Sequence, residues 1–307
     1  MPDDVVIKFS GVAKNFREVR ALDGVDLSVR RSQIYGLIGP DGAGKTTAIR
    51  IMATLMYPTA GSATVLGHDV ASDPLPIKRR IGYMPQSFSL YRDLTVSENV
   101  AFYAGIYRVP KSEMDERVKR LLDFTGLGPF TDRVADALSG GMKQKLALAC
   151  TLIHEPELVL LDEPTTGVDP IARRQFWQIL DGLVARGMTV FVSTPYMDEA
   201  ERCHRVAFLD SGRVVKEGTV EDLKTERGWK LFAVRGSGLR KLIEPLRKQP
   251  GILSVQLLGP NLRVQAAENM TIEEIRAGLP EKGRLYDLEE IRPTLEDVFA
   301  HILGSRS

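Results

Sequence analysis

The sequence predicts an α/β fold built on a parallel sheet, followed by a small α+β domain. Three observations carry that reading. Leu158–Leu161 and Met188–Val192 are continuous apolar runs, as in strands buried on both faces of a parallel sheet, and Ile171–Val184 has helical spacing between them. Ile34–Ile38 is a short apolar run followed by a glycine-rich stretch, and Lys45–Met56 then places Ile49, Met52 and Met56 on one side of a helix. Near Glu226-Arg227-Gly228 the pattern changes to an alternation of short strands and helices, which sets domains at 1–227 and 228–307.

The other elements follow from the same rules. Val5–Phe9 and Gly24–Val29 alternate apolar and polar residues, as half-buried antiparallel strands do; Ser62–Leu66 and Ile81–Met84 read as further short strands. Thr95–Tyr107, Lys111–Phe124 and Ser139–Ile153 have helical spacing with few strand signals between them, giving a helical stretch over about 87–155. Val206–Leu209 and Arg213–Val215 flank Asp210-Ser211-Gly212 and read as a hairpin. In the tail the pattern predicts strands at Lys230–Val234, Leu253–Leu258, Leu262–Gln265 and Arg284–Asp287, and helices at Leu239–Lys248 and Ile272–Gly278. A last helix starts at Pro293-Thr294-Leu295-Glu296-Asp297, where Thr294 and Asp297 have cap spacing.

Composition narrows the class. Lys plus Arg is 41 and Asp plus Glu is 40, so the net charge of +1 gives no electrostatic case for nucleic acid or anionic lipid as partner. The acidic start Met1-Pro2-Asp3-Asp4 lacks the positive charge of a signal peptide. The longest apolar runs, Leu158–Leu161 and Leu146–Ile153, fall far short of the roughly 20 residues that span a bilayer. The two cysteines, Cys150 and Cys203, sit in apolar-periodic segments and read as buried thiols. The expectation is a reduced, cytosolic, soluble chain whose membrane role, if any, comes through a partner.

Three segments carry chemistry. Gly39-Pro40-Asp41-Gly42-Ala43-Gly44-Lys45-Thr46 fits the eight-position phosphate-loop pattern, with a strand before it and a helix after it. Its glycines let backbone N–H groups face one anion, Lys45 reaches the β- and γ-phosphates, and the Thr46 hydroxyl binds Mg²⁺. Leu158–Leu161 then delivers Asp162 and Glu163 at a strand end, where parallel sheets place ligands: Asp162 for Mg²⁺, Glu163 as the base that polarises water. Alone, that pair reads equally as a solvated acidic turn; beside a phosphate loop it does not. Leu138-Ser139-Gly140-Gly141-Met142-Lys143-Gln144 is a capped helix start with two glycines, and by itself would be read as an ordinary one.

Together with Tyr83-Met84-Pro85-Gln86 and Gly167-Val168-Asp169-Pro170, these segments form an ordered set. The chain resembles the ATP-binding subunits of ATP-binding-cassette (ABC) transporters over residues 5 to about 226. The resemblance implies a P-loop ATPase with a RecA-like parallel core, an antiparallel β subdomain and the helical subdomain. It also implies roles. Phe16 stacks on adenine; Gly39 to Thr46 and Thr47 hold the phosphates; Thr46, Gln86 and Asp162 hold Mg²⁺; Gln86 and Glu163 act on the attacking water. Ser139, Gly140 and Gly141 form the signature that contacts ATP on the opposite subunit, and Asp169 belongs to a loop crossing the dimer interface. ATP and Mg²⁺ are the implied cofactors. A second cassette, identical or not, and an integral membrane permease are the implied partners, which places the chain at the cytoplasmic face of the membrane. Phe88, Leu90 and Tyr91 either line the permease-docking groove or pack into the core.

The ending Thr294-Leu295-Glu296-Asp297-Val298-Phe299, together with Met142-Lys143-Gln144 and Tyr196-Met197-Asp198-Glu199-Ala200-Glu201, resembles the daunorubicin and multidrug-resistance exporter branch, whose subunits carry an extra C-terminal domain of this size. One departure matters. The family places a histidine where this chain reads Ser193-Thr194-Pro195-Tyr196, and none of the four histidines takes that place. The γ-phosphate switch is therefore degenerate at Pro195, the proline fitting the first position of a helix from Tyr196. The alternative reading is a soluble ABC ATPase of the translation-factor or DNA-repair kind. Such proteins carry two cassettes, or a long coiled-coil insertion, and a basic surface, which this chain lacks. An importer ATPase is a third reading, opposed by the ending.

Overall fold

The computed structural model of the chain describes residues 4–87, 90–225, 228–279 and 286–304. β1 (Val5–Phe16) and β2 (Val19–Arg30) pair antiparallel. Both run longer than the alternation predicts, because register shifts between Phe9 and Val12 and around Lys14 interrupt the pattern without ending the ladder. β3 (Ile34–Ile38) is buried throughout and leads through the glycine-rich loop into α1 (Lys45–Met52). α1 ends at Met52 rather than Met56: Ala53 N closes on Ile49 O, and Thr54 turns away at φ 57°. β4 (Ala60–Val65) and the two-residue β5 (His68–Asp69) complete an antiparallel sheet of order β2-β1-β4-β5. α2 (Pro74–Arg80), with proline at its first position, precedes β6 (Ile81–Met84).

Three helices then enclose a core of their own. α3 (Val96–Ile106) opens on a capping box of Thr95 and Glu98; α4 (Lys111–Thr125) closes on Gly126 at φ 73°; α5 (Gly140–Leu152) is capped by Ser139. Val96, Val100, Leu122, Leu146 and Ile153 are buried among them. Leu90 packs against this core, while Tyr91 is 47% exposed and lies 4.3 Å, ring to ring, from Phe102. Phe88 lies outside the described residues.

β7 (Leu158–Asp162), α6 (Pro170–Val184), β8 (Thr189–Thr194), α7 (Met197–Ala200), β9 (Arg205–Asp210) and β10 (Arg213–Thr219) finish the main sheet, in the order β10-β9-β3-β8-β7-β6. β9, β3, β8, β7 and β6 run parallel; β10 folds back antiparallel through Ser211-Gly212. The register sets Ile38 opposite Thr194 and Asp162 opposite Ser193, so the C-terminal ends of β3, β8 and β7 meet at one edge. α7 begins at Met197 with Tyr196 as its cap, so Pro195 precedes the helix and is not its first residue, as the sequence pattern had it.

α8 (Val220–Thr225) spans the division between two compact units, Met1–Val220 and Glu221–Ser307. In the second unit, β11 (Trp229–Arg235), α9 (Ile243–Arg247), β12 (Ile252–Leu258), β13 (Asn261–Ala267), α10 (Ile272–Ala277), β14 (Asp287–Ile291) and α11 (Leu295–Gly304) build one antiparallel sheet, order β12-β13-β11-β14, with helices. Phe232, Val264, Leu246 and Ile275 fill its core. The predicted helix over Leu239–Lys248 splits into a tight 3₁₀ turn and the short α9. The last predicted strand lies further along, at β14; residues 284 and 285 fall outside the described ones. Thr294 and Asp297 cap α11 reciprocally, and Arg263 Nη1 holds Asp297 Oδ1 at 2.6 Å. Among the described residues no helix is long and apolar enough to cross a membrane.

Candidate phosphate-binding site

The loop between β3 and α1 is shaped by what its glycines leave out. A Cβ on Gly39 would lie 2.1 Å from Leu209 O, and one on Gly44, at φ 108°, would lie 2.4 Å from Ala21 O. The loop backbone therefore presses against β9 and the start of β2 while its open side faces a cavity of about 320 Å³. Asp41, Gly42, Gly44, Lys45, Thr46 and Thr47 line that cavity, with Ala21, Gln86 and Glu163 opposite. Ala43 is buried, and its N–H closes the loop on Pro40 O at 3.2 Å. Phe16 ends β1 with 44% exposure, Lys14 Nζ standing 5.4 Å from its ring centroid; Ala21 rather than Phe16 lines the cavity.

Lys45 is almost wholly buried, with 3% of its surface exposed. Its ammonium donates to Gly39 O at 2.8 Å and Pro40 O at 3.0 Å, and pairs with Glu163 Oε1 at 3.1 Å. A buried cation held on its own loop, next to a tight backbone cradle at a helix start, is the arrangement that receives a phosphate. Glu163 itself sits at φ 48°, a left-handed conformation that costs a non-glycine residue about 1–3 kcal/mol. Gln86 Nε2 donates to its other oxygen at 3.0 Å. The base candidate is thus held between the loop cation and the amide that follows β6.

Asp162, next along β7, accepts from Thr46 Oγ1 at 3.1 Å and from Ser193 Oγ at 2.7 Å. Burial pushes its carboxyl above the ordinary range, and the charge of Glu163 adds to this; the Ser193 and Thr46 hydroxyls and Arg50 oppose it. Ser193 also receives Glu163 N on its hydroxyl at 3.0 Å, so one serine fixes both acidic residues. The sequence pattern did not assign it that role. The hydroxyl of Thr46 and the carboxylate of Asp162 are hard oxygen donors side by side, a donor set that suits Mg²⁺ together with phosphate oxygens.

The remaining predicted residues lie elsewhere in the same unit. Ser139 Oγ accepts from Met142 N at 3.4 Å and caps α5. Gly140 is exposed, with nothing within 4 Å of a Cβ added to it. Gly141 is different: its added Cβ would meet Ala172 Cβ at 2.3 Å, so this glycine lets α5 and α6 touch. Asp169 caps α6, accepting from Ile171 N and Ala172 N at 3.0 Å each. Pro195 is half-buried and brings no side-chain donor to the end of β8.

Residues 22–166 match the family described as ABC transporter, and residues 218–303 match the family described as ATP-binding protein DrrA1-3-like, C-terminal domain. Over 98% of its length the chain is 41% identical to the probable multidrug ABC transporter ATP-binding protein YbhF of Escherichia coli K12, of which it spans about half, 53%. It is 37% identical to the daunorubicin/doxorubicin resistance ATP-binding protein DrrA of Streptomyces peucetius, over 98% of this chain and 89% of that one. Among solved structures, a dimeric ATP-binding cassette in a post-hydrolysis state, bound to ADP and phosphate, aligns with a TM-score of 0.63 and 29% identity, over 69% of this chain and 98% of that one.

Proposed function

We propose a function from one premise: the chain belongs to the family of ABC-transporter ATP-binding subunits that end in a DrrA-like C-terminal domain. It binds ATP with Mg²⁺, pairs with a second cassette so that each nucleotide lies between two chains, and powers export through a separate membrane permease at the cytoplasmic face of the membrane. The observation that carries this reading is the buried Lys45 ammonium, held on Gly39 O and Pro40 O beside Glu163 at the mouth of the glycine cradle.

Each residue then has a task. Gly39 to Thr47 cradle the phosphates with backbone N–H groups, and Lys45 leaves Glu163 for the β- and γ-phosphates. Thr46, Asp162 and Gln86 would hold Mg²⁺, which would neutralise charge on the phosphate oxygens. Glu163, freed from Lys45, accepts the hydrogen bond of the attacking water and orients it. Phe16 stacks on adenine. Ser139, Gly140 and Gly141 face the nucleotide of the partner cassette, and Asp169 stands at the interface between the two. Tyr91 and Phe102 offer an exposed aromatic pair to the permease. The DrrA-like tail and the near-neutral charge favour the exporter over a soluble nucleic-acid-linked ATPase.

The switch is the exception. Pro195 supplies no donor where the family has histidine, and a contact that stabilises developing charge is commonly worth about 3–4 kcal/mol. The chain's own site therefore binds ATP and hydrolyses it slowly, while its intact signature completes a competent site on a partner cassette that has the histidine. An asymmetric pair follows. The test is ATPase activity of the purified chain, of Pro195→His, and of Ser139→Arg mixed with its partner. Faster hydrolysis in Pro195→His and loss of partner activity in Ser139→Arg are expected. Brisk hydrolysis by the unmixed chain, unchanged by Pro195→His, contradicts the degenerate switch.

Two further outcomes are expected. A chain ending at Arg227 keeps MgATP binding in calorimetry, because every proposed phosphate contact lies before it; a folded truncated chain without binding refutes that division of labour. The second concerns Asp162, whose pKa is raised in the folded chain. The folded chain then holds that proton more tightly than the unfolded one, so the contribution of Asp162 to stability falls as pH rises from the ordinary carboxylate range through the raised value. Asp162→Asn removes this loss. Its melting temperature relative to wild type should climb as pH rises above the ordinary carboxylate range, while Mg²⁺-dependent nucleotide binding is lost. A variant whose relative stability drops over that range contradicts the assignment.

A further inference from the structure

The buried carboxylate of Glu199, on α7, belongs to none of the tasks above. Glu199 is 1% exposed, and it stands one turn beyond the degenerate switch. Thr194 Oγ1, from the last residue of β8, donates to Glu199 Oε2 at 2.7 Å, and Thr165 Oγ1, from the loop after β7, donates to Oε1. Arg173, on α6, brings Nε to 3.3 Å from Oε1 and stacks its guanidinium on the Tyr196 ring at 4.4 Å. Tyr196 N in turn donates to Thr194 Oγ1 at 3.0 Å. Both oxygens of one carboxylate are thus taken, each by a hydroxyl that is itself buried.

The clamp continues at both ends. Upstream, Thr194 follows Ser193, which holds the Asp162 carboxylate and the Glu163 N–H. Downstream, Arg173 lies next to Ala172, which presses on Gly141 at the start of α5 and receives the cap of Asp169. A chain of contacts and neighbouring residues, buried at Ser193, Thr194, Thr165 and Glu199 and partly exposed at Arg173 and Ala172, therefore runs from the phosphate-facing carboxylates to the residues proposed to face the partner's nucleotide. Packed networks of this kind shift between discrete arrangements rather than bending gradually.

We propose that Glu199 is a positioning residue that couples the state of the chain's own phosphate site to the start of α5, with Thr165, Thr194 and Arg173 as its partners. This rests on the nucleotide reading of that site. With proline at the switch, the coupling runs through the backbone of β8 and the Glu199 clamp, without a side chain at position 195 reaching the phosphate. A nucleotide bound at Lys45 releases Glu163 and shifts its N–H and carbonyl against Ser193; the clamp passes that shift to α6 and Gly141. The partner's site is thereby told whether this one is filled.

The experiment is hydrogen exchange on the full-length chain, with and without Mg²⁺ and a non-hydrolysable ATP analogue, recorded on the monomer as verified by light scattering. In the wild type, exchange should slow over residues 39–47 and, by about fivefold or more, over residues 139–147, the lower end of ordinary coupling between sites. In Glu199→Gln, whose amide cannot accept from two hydroxyls in the same way, protection of 39–47 and nucleotide affinity should stay while the response of 139–147 falls below about twofold. The paired Thr165→Val and Thr194→Val chain, which keeps the carboxylate and removes its donors, should do the same and serves if Glu199→Gln does not fold. A role in stability alone would move both regions or neither. A wild-type chain protected at 39–47 but unresponsive at 139–147 overturns the coupling and leaves the nucleotide reading standing, as does either variant responding like wild type. No protection at 39–47 in the wild type removes both.

Discussion

Glu163→Gln is expected to keep MgATP binding and to lower hydrolysis by about 10²–10⁴ relative to the chain's own basal rate, as removal of one general base does. The geometry explains the split. Glu163 touches Lys45 and Gln86 rather than the loop backbone, so the phosphate cradle survives the change. The amide has nearly the same shape but cannot polarise water. It also cannot pair with the Lys45 ammonium as a charge, which frees that cation for phosphate and tightens binding. The expected product is a long-lived, ATP-bound pair of cassettes, visible by size exclusion with light scattering in MgATP and absent without it. A Glu163→Gln chain that hydrolyses at the unmodified rate would show that another group activates the water.

Lys45→Ala should abolish MgATP binding. Among the described residues that line the cavity, no other side chain is cationic, so no other side chain there offsets the charge of the β- and γ-phosphates. The same substitution strands Glu163 beside Asp162 with its buried counter-charge gone, and breaking a buried pair by deleting one partner costs about 3–5 kcal/mol. The cost here should fall below that range, because the cavity opens to water. Loss of binding must therefore be read on folded protein. Lys45→Gln, which keeps a donor for Gly39 O and Pro40 O, separates the two effects: it should fold and still fail to bind. Calorimetry and thermal melting on both variants make the comparison, and retained affinity in either one would reject the phosphate-loop assignment.

Much of this site is legible from the sequence because its parts are local. The loop from Gly39 to Thr46 encodes a backbone shape in eight consecutive positions, and β3 and α1 flank it as the pattern requires. Asp162 and Glu163 are legible because they end a continuous apolar strand. Ser193 was not, since its hold on both depends on the register of β7 against β8, a long-range pairing with no local mark. Gly141 shows the same limit: its close approach to Ala172 between α5 and α6 has no mark in the local sequence. Glu199 sits in an acidic helix start with no local mark of burial, and only the fold buries it. β5 and α2 are too short to display a period, and α1 stops early through a turn at Thr54 that its apolar spacing does not signal.

The most direct test is titration of MgATP into the wild-type chain by calorimetry, with Lys45→Gln as the paired control. The account predicts saturable binding of one nucleotide per chain, dependent on Mg²⁺ and absent in Lys45→Gln. A folded wild-type chain that takes up no nucleotide, or a Lys45→Gln chain that binds as the wild type does, contradicts it.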